Sequence, residues 1–316
     1  MAICRGKVFS FKAVIFAFMK AYDVTLLTCP AYHRPTEITD YINNVLTEDR
    51  LIAEALQAKG LKVYRTSWDD PAFDWASTEV AIFRTTWDYF HRAAEFAAWL
   101  NKVQHLTRLI NPIDTIRWNM DKHYLQDLAH KGVPTVPTIF IEPGEQRSLK
   151  QIAEHSGWQQ FIIKPAISGG ARHTYKFALA RVADYEQVFK QLIATESMLL
   201  QPFMERVESH GEVSHMVFGG RYSHSVHKKA KAGDFRVQDD FGGTVHHYQA
   251  SANEVAFAEA VAAHCKPIPV YARVDVMWDN QNQLALVELE AIEPELWMRK
   301  HPTAATMFAQ AVVATF

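Results

Sequence analysis

The sequence predicts a mixed fold, in which an N-terminal α/β lobe is followed by two α+β lobes. The chain has 316 residues, of which 48% are hydrophobic and 22% charged, so it is long and apolar enough to bury more than one core. Up to about residue 112, short β-rich runs alternate with helical periodicities, an order typical of βαβ units. Beyond that point candidate strands follow one another around few helices, which is typical of antiparallel sheets.

The first lobe is assigned to residues 21–115. Gly60 stands where a helix would end before a strand, and Thr47 can cap the start of that helix. Asn111 and Pro112 close the lobe. The patterns predict strands at 23–28, 62–66 and 80–84, and helices at 49–58 and 93–103.

The rest of the chain is divided into a small lobe, residues 116–200, and a large lobe, residues 201–316. A helix from Met120 to His130 opens the small lobe and ends before Gly132. Further helices are predicted at 182–194, 253–264 and 303–314. Strands are predicted from Thr138 to Ile141 and at 160–165, 173–178, 197–203, 212–218, 221–229, 270–278 and 283–290.

Charge and cysteine content restrict the class of protein. Lys and Arg total 33 against 35 Asp and Glu, so a net charge of -2 gives no general attraction to nucleic acid or to a membrane surface. Three widely separated cysteines argue against a disulfide framework and for a cytoplasmic protein. Residues 1–20 are basic, and their apolar run at 13–19 is too short to span a bilayer. We expect them to form a disordered extension.

Several common catalytic motifs are missing from the sequence. Neither G-x-x-x-x-G-K-[ST] nor G-x-G-x-x-G occurs, which excludes the usual P-loop and dinucleotide fingerprints. No H-E-x-x-H zinc motif and no G-x-S-x-G nucleophile elbow is present either. A nucleotide site must therefore be built in another way.

The segment 161–172 is a candidate phosphate-binding loop. An apolar strand ends at Lys164 and runs into a turn containing Ser168, Gly169 and Gly170. Lysine supplies a positive charge, and glycines let backbone N–H groups approach phosphate oxygens. The alternative is an ordinary hairpin with a surface lysine.

A second candidate site is an acidic hairpin near the C-terminus. Glu288 and Glu290 are two residues apart on one predicted strand and therefore share a face, and Asp275 lies on the facing strand. Partly buried carboxylates need a cation, and Mg²⁺ bridging phosphates is a common solution. The alternative is a solvated acidic edge.

The third candidate is a basic, glycine-containing loop, residues 228–244. It contains Lys228 and Arg236, our candidate catalytic residues. Such a loop can close over a polyphosphate and stabilise a transferring phosphoryl group. The alternative is a basic surface loop.

Taken together, these segments resemble the ATP-grasp superfamily, within it the glutathione synthetase-like branch, from about Asn111 to the C-terminus. The resemblance implies an ATP-grasp fold with an additional N-terminal lobe, and it places Lys122 and Lys164 on the nucleotide phosphates. Gln201, Pro202 and Phe203 correspond to the segment that meets the adenine. Either Glu205 or Glu212 corresponds to the ribose partner, and spacing alone does not decide between them.

The same resemblance implies the catalytic and metal-binding roles. Arg236 corresponds to the arginine that stabilises the γ-phosphate and the acyl phosphate. Asp275, Glu288 and Glu290 correspond to the ligands of Mg²⁺, or of Mn²⁺ in its place. Many members carry asparagine where this chain has Glu290, and a second acid should still bind the metal. Three segments are most similar to the cyclo-ligases that form cycloserine from O-ureido-serine: 164–174, 233–244 and 288–294.

Substrate contacts are expected from loops after the strands of the first lobe, where open α/β sheets bind their ligands. Arg84 follows one strand and is a candidate for binding a carboxylate, with Trp87, Asp88 and Tyr89 defining shape and an amine site. A tryptophan that only packs the lobe interface is an equal alternative. His33 and Arg34, after the first strand, are weaker candidates.

The predicted function is an ATP-dependent carbon–nitrogen ligase. It would phosphorylate a carboxylate or carbonyl oxygen of an amino-acid-like small molecule and couple or cyclise it with an amine, releasing ADP and phosphate. Two alternatives remain open at this point, a small-molecule kinase and a non-catalytic ATP-binding module. We expect no nucleic-acid or membrane partner, and a homodimer is consistent with the resemblance.

Overall fold

Residues 20–237 and 242–316 are described by the computed structural model of the chain. Their strands form three sheets, the first parallel and the other two antiparallel. Apart from Lys20, the predicted N-terminal extension lies outside the described residues. The predicted lobe boundaries at 115 and 200 stay a prediction.

The first sheet belongs to the N-terminal part and has the strand order β2-β1-β3-β4. Its strands are β1 (Tyr22–Thr28), β2 (Val63–Ser67), β3 (Thr78–Thr85) and β4 (Arg108–Ile110). Val24, Leu26, Val80 and Ile82 are fully buried, as expected for a parallel sheet covered by helices.

Three helices accompany this sheet: α1 (Pro30–His33), α2 (Asp40–Gln57) and α3 (Ala93–Val103). Helix α3 has its predicted bounds, whereas α2 begins well before the predicted start at residue 49. The prediction that Thr47 caps this helix is wrong. Thr39 is the N-cap, and its Oγ1 accepts the N–H of Ile42.

A break between two helices follows, where one helix was predicted. Helix α4 (Ile113–Met120) ends at Asp121, whose backbone is extended, and α5 (Tyr124–His130) begins shortly after. In the break, the N–H of Lys122 donates to the carbonyl oxygen of Ala166. This long-range hydrogen bond replaces an intrahelical one, which a sequence pattern does not show.

The second sheet is antiparallel, in the order β5-β8-β6-β7. It consists of β5 (Ile139–Ile141), β6 (Gln160–Pro165), β7 (Tyr175–Ala178) and β8 (Met198–Pro202). Helices α6 (Leu149–Ser156) and α7 (Glu186–Ile193) cover it. Helix α6 was not predicted, although it carries a recognisable capping box formed by Ser148 and Gln151.

The third sheet has the order β11-β10-β9-β12-β13. Its strands are β9 (Glu212–Phe218), β10 (Arg221–Lys229), β11 (Thr244–Tyr248), β12 (Tyr271–Trp278) and β13 (Leu284–Glu290). Three helices belong to this part: α8 (Arg206–His210), α9 (Ala252–His264) and α10 (Ala304–Val313). The predicted hairpin is present, and Asp275 is directly opposite Glu288 in its register. Strand β11 was not predicted.

The last helix ties the C-terminal part to the first sheet. Phe308 and Val312 of α10 belong to the same buried cluster as Val24 and Ile52 of the N-terminal part. Within the described ranges, none of the helices combines the length and the apolar character that crossing a membrane requires.

Candidate active site

A cavity of about 630 Å³ is lined by residues of the second and third sheets and by the loops after β1 and β3. It contains most of the predicted site residues: Trp87, Lys122, Lys164, Ser168, Gly169, Gly170, Gln201, Pro202, Phe203, Glu212, Lys228, Arg236, Asp275, Glu288 and Glu290. The predicted residues outside its lining are Arg84, Asp88, Tyr89 and Glu205. We call this cavity the cleft.

The two predicted phosphate-binding lysines face a carboxylate of the third sheet. Lys122 is buried, and its Nζ lies 2.9 Å from Oε1 of Glu288 and 2.6 Å from the carbonyl oxygen of Ser168. Lys164 extends from β6. Burial, together with the charge of Lys122, lowers the pKa of Lys164 although Glu288 opposes this effect. Two lysine ammonium groups that are largely shielded from water are suited to binding phosphate oxygens.

The glycine-rich turn lies beside these lysines. Ser168 accepts a hydrogen bond from Lys122 through its carbonyl oxygen, and its Oγ donates to the carbonyl oxygen of Arg172. Gly170 has a φ of 55°, in the left-handed region that favours glycine. A Cβ atom on Gly169 would lie 2.6 Å from Cε1 of Phe90, so a larger residue would displace this ring. The turn thus presents backbone close to the cleft.

The segment predicted to meet the adenine closes another side of the cleft. Gln201 is buried and donates through Nε2 to Oγ1 of Thr138, and Phe203 is buried next to it. Glu212 lines the cleft and is 7% exposed, whereas Glu205 is exposed and lies outside the lining. Of the two candidates for the ribose, Glu212 is therefore the one that the structure brings to the cleft.

The three predicted metal ligands come together on β12 and β13, and each pairs with a cation of the chain. Arg273 donates to Oδ2 of Asp275 over 2.8 Å and also pairs with Glu290. Glu288 pairs with Lys122. Among the described residues, no three acidic, histidine or cysteine side chains are gathered as a closed metal cluster.

The charges of these acids are set by burial and by their partners. Arg273 and Lys228 hold the pKa of Asp275 below its usual value despite burial, and Lys122 and Lys164 do the same for Glu288. Burial, reinforced by the neighbouring Glu288, raises the pKa of Glu290 to about 7. The donor set, oxygen ligands on two paired strands, fits Mg²⁺ chemically.

The predicted catalytic residues also reach the cleft. Lys228 is buried and pairs with Glu212 and, over 3.4 Å, with Asp275. Arg236 belongs to the basic loop, and its Nη2 lies 2.7 Å from Oδ2 of Asp234. Residues 238–241 of the same loop are outside the described part. Both side chains line the cleft.

Comparison with known proteins places the chain in a family. Residues 121–310 match the RimK-like ATP-grasp domain. The chain belongs to this ATP-grasp family. Residues 24–111 match the N-terminal domain of D-cycloserine synthetase DcsG. The cycloserine biosynthesis protein DcsG of Streptomyces lavendulae is 31% identical over 276 residues, which cover 83% of this chain and 91% of that protein.

Solved structures agree with this assignment of an ATP-grasp enzyme. The crystal structure of D-cycloserine synthetase DcsG matches 92% of this chain and 99% of its own with a TM-score of 0.81 and 28% identity. A RimK domain ATP-grasp protein from Sphaerobacter thermophilus matches 92% of this chain and 98% of its own with a TM-score of 0.65 and 16% identity. The predicted ATP-grasp fold and the prediction of an ATP-dependent ligase are confirmed.

Four residues that were predicted to contact the substrate of this ATP-grasp ligase lie outside the lining of the cleft. Arg84 is fully buried, and its Nη2 donates over 2.8 Å to Glu48 of α2, so it is not available to a substrate carboxylate. Asp88 accepts hydrogen bonds from Trp68 and Arg92 outside the cleft. His33 and Arg34 line a separate, smaller cavity. The position of these residues after a strand did not show that other side chains of the protein bind them.

Trp87 does line the ATP-grasp cleft, and Tyr89 lies directly behind it. Nε1 of Trp87 donates over 2.9 Å to the carbonyl oxygen of Glu293. Tyr89 is 5% exposed, and burial together with the charge of the neighbouring Glu293 raises the pKa of its hydroxyl. Trp87 thus packs against another part of the chain and also lines the cleft. Neither of its two predicted roles is excluded by this position.

Sequence reasoning assigned no role to three residues that line the ATP-grasp cleft: Arg273, Glu293 and Trp297. Arg273 is two residues before Asp275 on the same strand, so strand periodicity would have placed both on one face. Its guanidinium also lies 5.1 Å from the ring centre of Trp297. No sequence signal points to Trp297, whose place depends on the chain returning to the cleft after β13.

Proposed function

We propose that this ATP-grasp ligase phosphorylates a carboxylate or carbonyl oxygen of an amino-acid-like molecule and couples or cyclises it with an amine. The substrate oxygen forms a bond to the γ-phosphorus as ADP leaves. The amine nitrogen then forms the C–N bond, loses a proton and displaces phosphate. The similarity to a D-cycloserine synthetase supports an intramolecular closure of this kind.

One observation supports the proposal most directly. Two lysines and three acids line the same cavity, and one lysine pairs with one of the acids: Lys122, Lys164, Asp275, Glu288 and Glu290. In this arrangement the lysines bind and orient the phosphates, and Arg236 and Lys228 stabilise charge on the transferring group. Asp275, Glu288 and Glu290 would hold Mg²⁺, which neutralises phosphate charge when bound. Glu212, which lines the cleft, would accept hydrogen bonds from the ribose.

The test is a screen for ADP release with amino acids and ureido-amino acids of both hands, in the presence of ATP and Mg²⁺. Hydroxylamine is added to trap an activated carboxylate as a hydroxamate. We expect ADP release with at least one member of the panel and hydroxamate formation with the same compound.

The other outcomes identify the two rivals. ADP release with a stable phosphate ester and no hydroxamate would show a small-molecule kinase. Tight ATP binding without turnover across the whole panel would show a non-catalytic module. Either result would contradict the proposed ligase.

A further inference from the structure

The acids that line the cleft are not equivalent in their partners. Five of them pair with a lysine or arginine, namely Glu212, Asp275, Glu288, Glu290 and Glu295. Glu293 also lines the cleft, but no lysine or arginine forms an ion pair with it within the described residues. A partly buried carboxylate without a cation is unusual, because burial penalises an unpaired charge.

The surroundings of Glu293 are negative and aromatic. Tyr89 lies beside this carboxylate, since burial and then the charge of Glu293 raise the pKa of the Tyr89 hydroxyl. Glu290 and Glu288 lie close enough to oppose the ionisation of Glu293. Trp87 is tied to the backbone of Glu293, and the ring of Tyr32 lies 5.6 Å from that of Trp87.

We propose that Glu293 is the counter-charge for a primary ammonium group of the substrate. An ammonium group offers three N–H donors and neutralises the local excess of negative charge, and aromatic walls favour a cation further. Glu293 thus selects amino-bearing substrates over otherwise identical molecules without the amine. This inference rests on the proposed function. It assigns the binding of the substrate amine to Glu293 instead of Asp88.

The test compares Glu293→Gln with the wild type in equilibrium binding of serine and of glycerate, which differs only in carrying a hydroxyl for the amine. A non-hydrolysable ATP analogue and Mg²⁺ are present, and calorimetry gives the affinities. We expect Glu293→Gln to weaken serine binding by ~10- to 100-fold, the range for a lost charge-assisted hydrogen bond. Glycerate and the ATP analogue should bind both proteins alike.

Two further variants distinguish the loss of amine recognition from a general effect of substitution on the cleft. Glu295→Gln removes the same charge two residues away, where Arg299 already pairs with it, and should change serine affinity by about twofold at most. Glu293→Asp keeps the charge and should restore part of the affinity.

The outcomes distinguish this inference from the proposed function. ADP release with 2-hydroxy acids as readily as with amino acids would keep the ligase and overturn the role of Glu293. Absence of ADP release from every compound would overturn the ligase, and the binding measurement would then decide on Glu293 alone. Equal serine affinity of wild type and Glu293→Gln, or no serine binding to the wild type, overturns the inference.

Discussion

Lys122 makes contacts that a surface lysine does not make. Its backbone N–H donates to Ala166, while its Nζ contacts Ser168 and Glu288, so one residue joins the glycine-rich turn to the acidic hairpin. The predicted position of this lysine inside a helix is wrong, because the helix is interrupted there. The interruption frees the backbone for these contacts. At the scale of single residues, the contacts of Lys122 therefore depend on a local break in regular structure.

The charge of Glu288 should be essential for phosphoryl transfer. We expect Glu288→Gln to reduce ADP formation at least ~100-fold, since loss of one group that stabilises transferring charge typically costs that much. The fold should persist, because Lys122 keeps its bond to Ser168. A coupled assay for ADP and a melting curve measure both effects.

Glu54→Gln serves as the control, since Glu54 is exposed and pairs only with its helical neighbour Arg50. It should leave ADP formation unchanged. Unaltered ADP formation in Glu288→Gln would contradict the assignment of the acidic hairpin.

At the scale of elements, a tight turn between α8 and β9 positions Lys228. Gly211 has a φ of 75°, and a Cβ atom there would lie 2.2 Å from the carbonyl oxygen of Lys228. The close approach brings the end of β10 against the turn, and Lys228 pairs from this strand with Glu212. Glycine is required at this position for space as well as for conformation.

Gly211→Ala should therefore destabilise the protein by more than the cost of the backbone conformation alone. The matched control is Gly144→Ala, where φ is 94° but no atom lies within 4 Å of the added Cβ. We expect about 1 kcal/mol for the control and at least about 2 kcal/mol more for Gly211→Ala. Urea unfolding measures the difference, and equal losses would show that the turn has room for a methyl group.

At the scale of the whole molecule, two buried histidines of the third sheet bond within the sheet and to the segment that follows its last strand. His215 of β9 is fully buried, with Nδ1 bonded to Ser225, and His224 of β10 bonds the carbonyl oxygen of Leu296. Burial lowers the pKa of His215 to about 4, and burial with the nearby His301 does so for His224. Both side chains are therefore neutral in the folded protein near pH 7.

Stability should therefore fall as the solution becomes acidic. The unfolded chain binds a proton at each histidine below its ordinary pKa of about 6.5, whereas the folded chain does so only near 4, so stability is full above pH 6.5 and is lost below it. We expect each histidine to contribute a loss of about 2 to 3 kcal/mol between pH 7 and pH 4.5. Urea unfolding across this range measures it.

Replacing one of these histidines isolates its share of the acid sensitivity. His215→Gln should make the pH dependence of the unfolding free energy shallower, whatever its effect at pH 7. His130→Gln, at an exposed position, should leave the dependence as it is. An unchanged slope in His215→Gln would contradict the role of burial at this site.

Most of the cleft could be predicted from the sequence, because its main signals are local. Lys164 ends an apolar strand before a glycine turn, and Glu288 and Glu290 alternate with apolar residues on a strand. These patterns depend only on the two-residue period of a strand and on the backbone freedom of glycine. The order of the elements likewise indicated an α/β part followed by antiparallel sheets, as the structure has them.

Which charged side chains remain available to a ligand depends on the folded structure. Arg84 satisfies every sequence criterion for a substrate contact, yet Glu48, 36 residues away, neutralises it in the interior. Glu293 had no predicted role, and it is distinctive because the other acids that line the cleft form ion pairs, whereas none is found for Glu293 among the described residues. The types and the local spacing of the reactive groups could be read from the sequence, since these follow from backbone geometry. Their pairing depends on distances between segments far apart in the chain, which are set by folding.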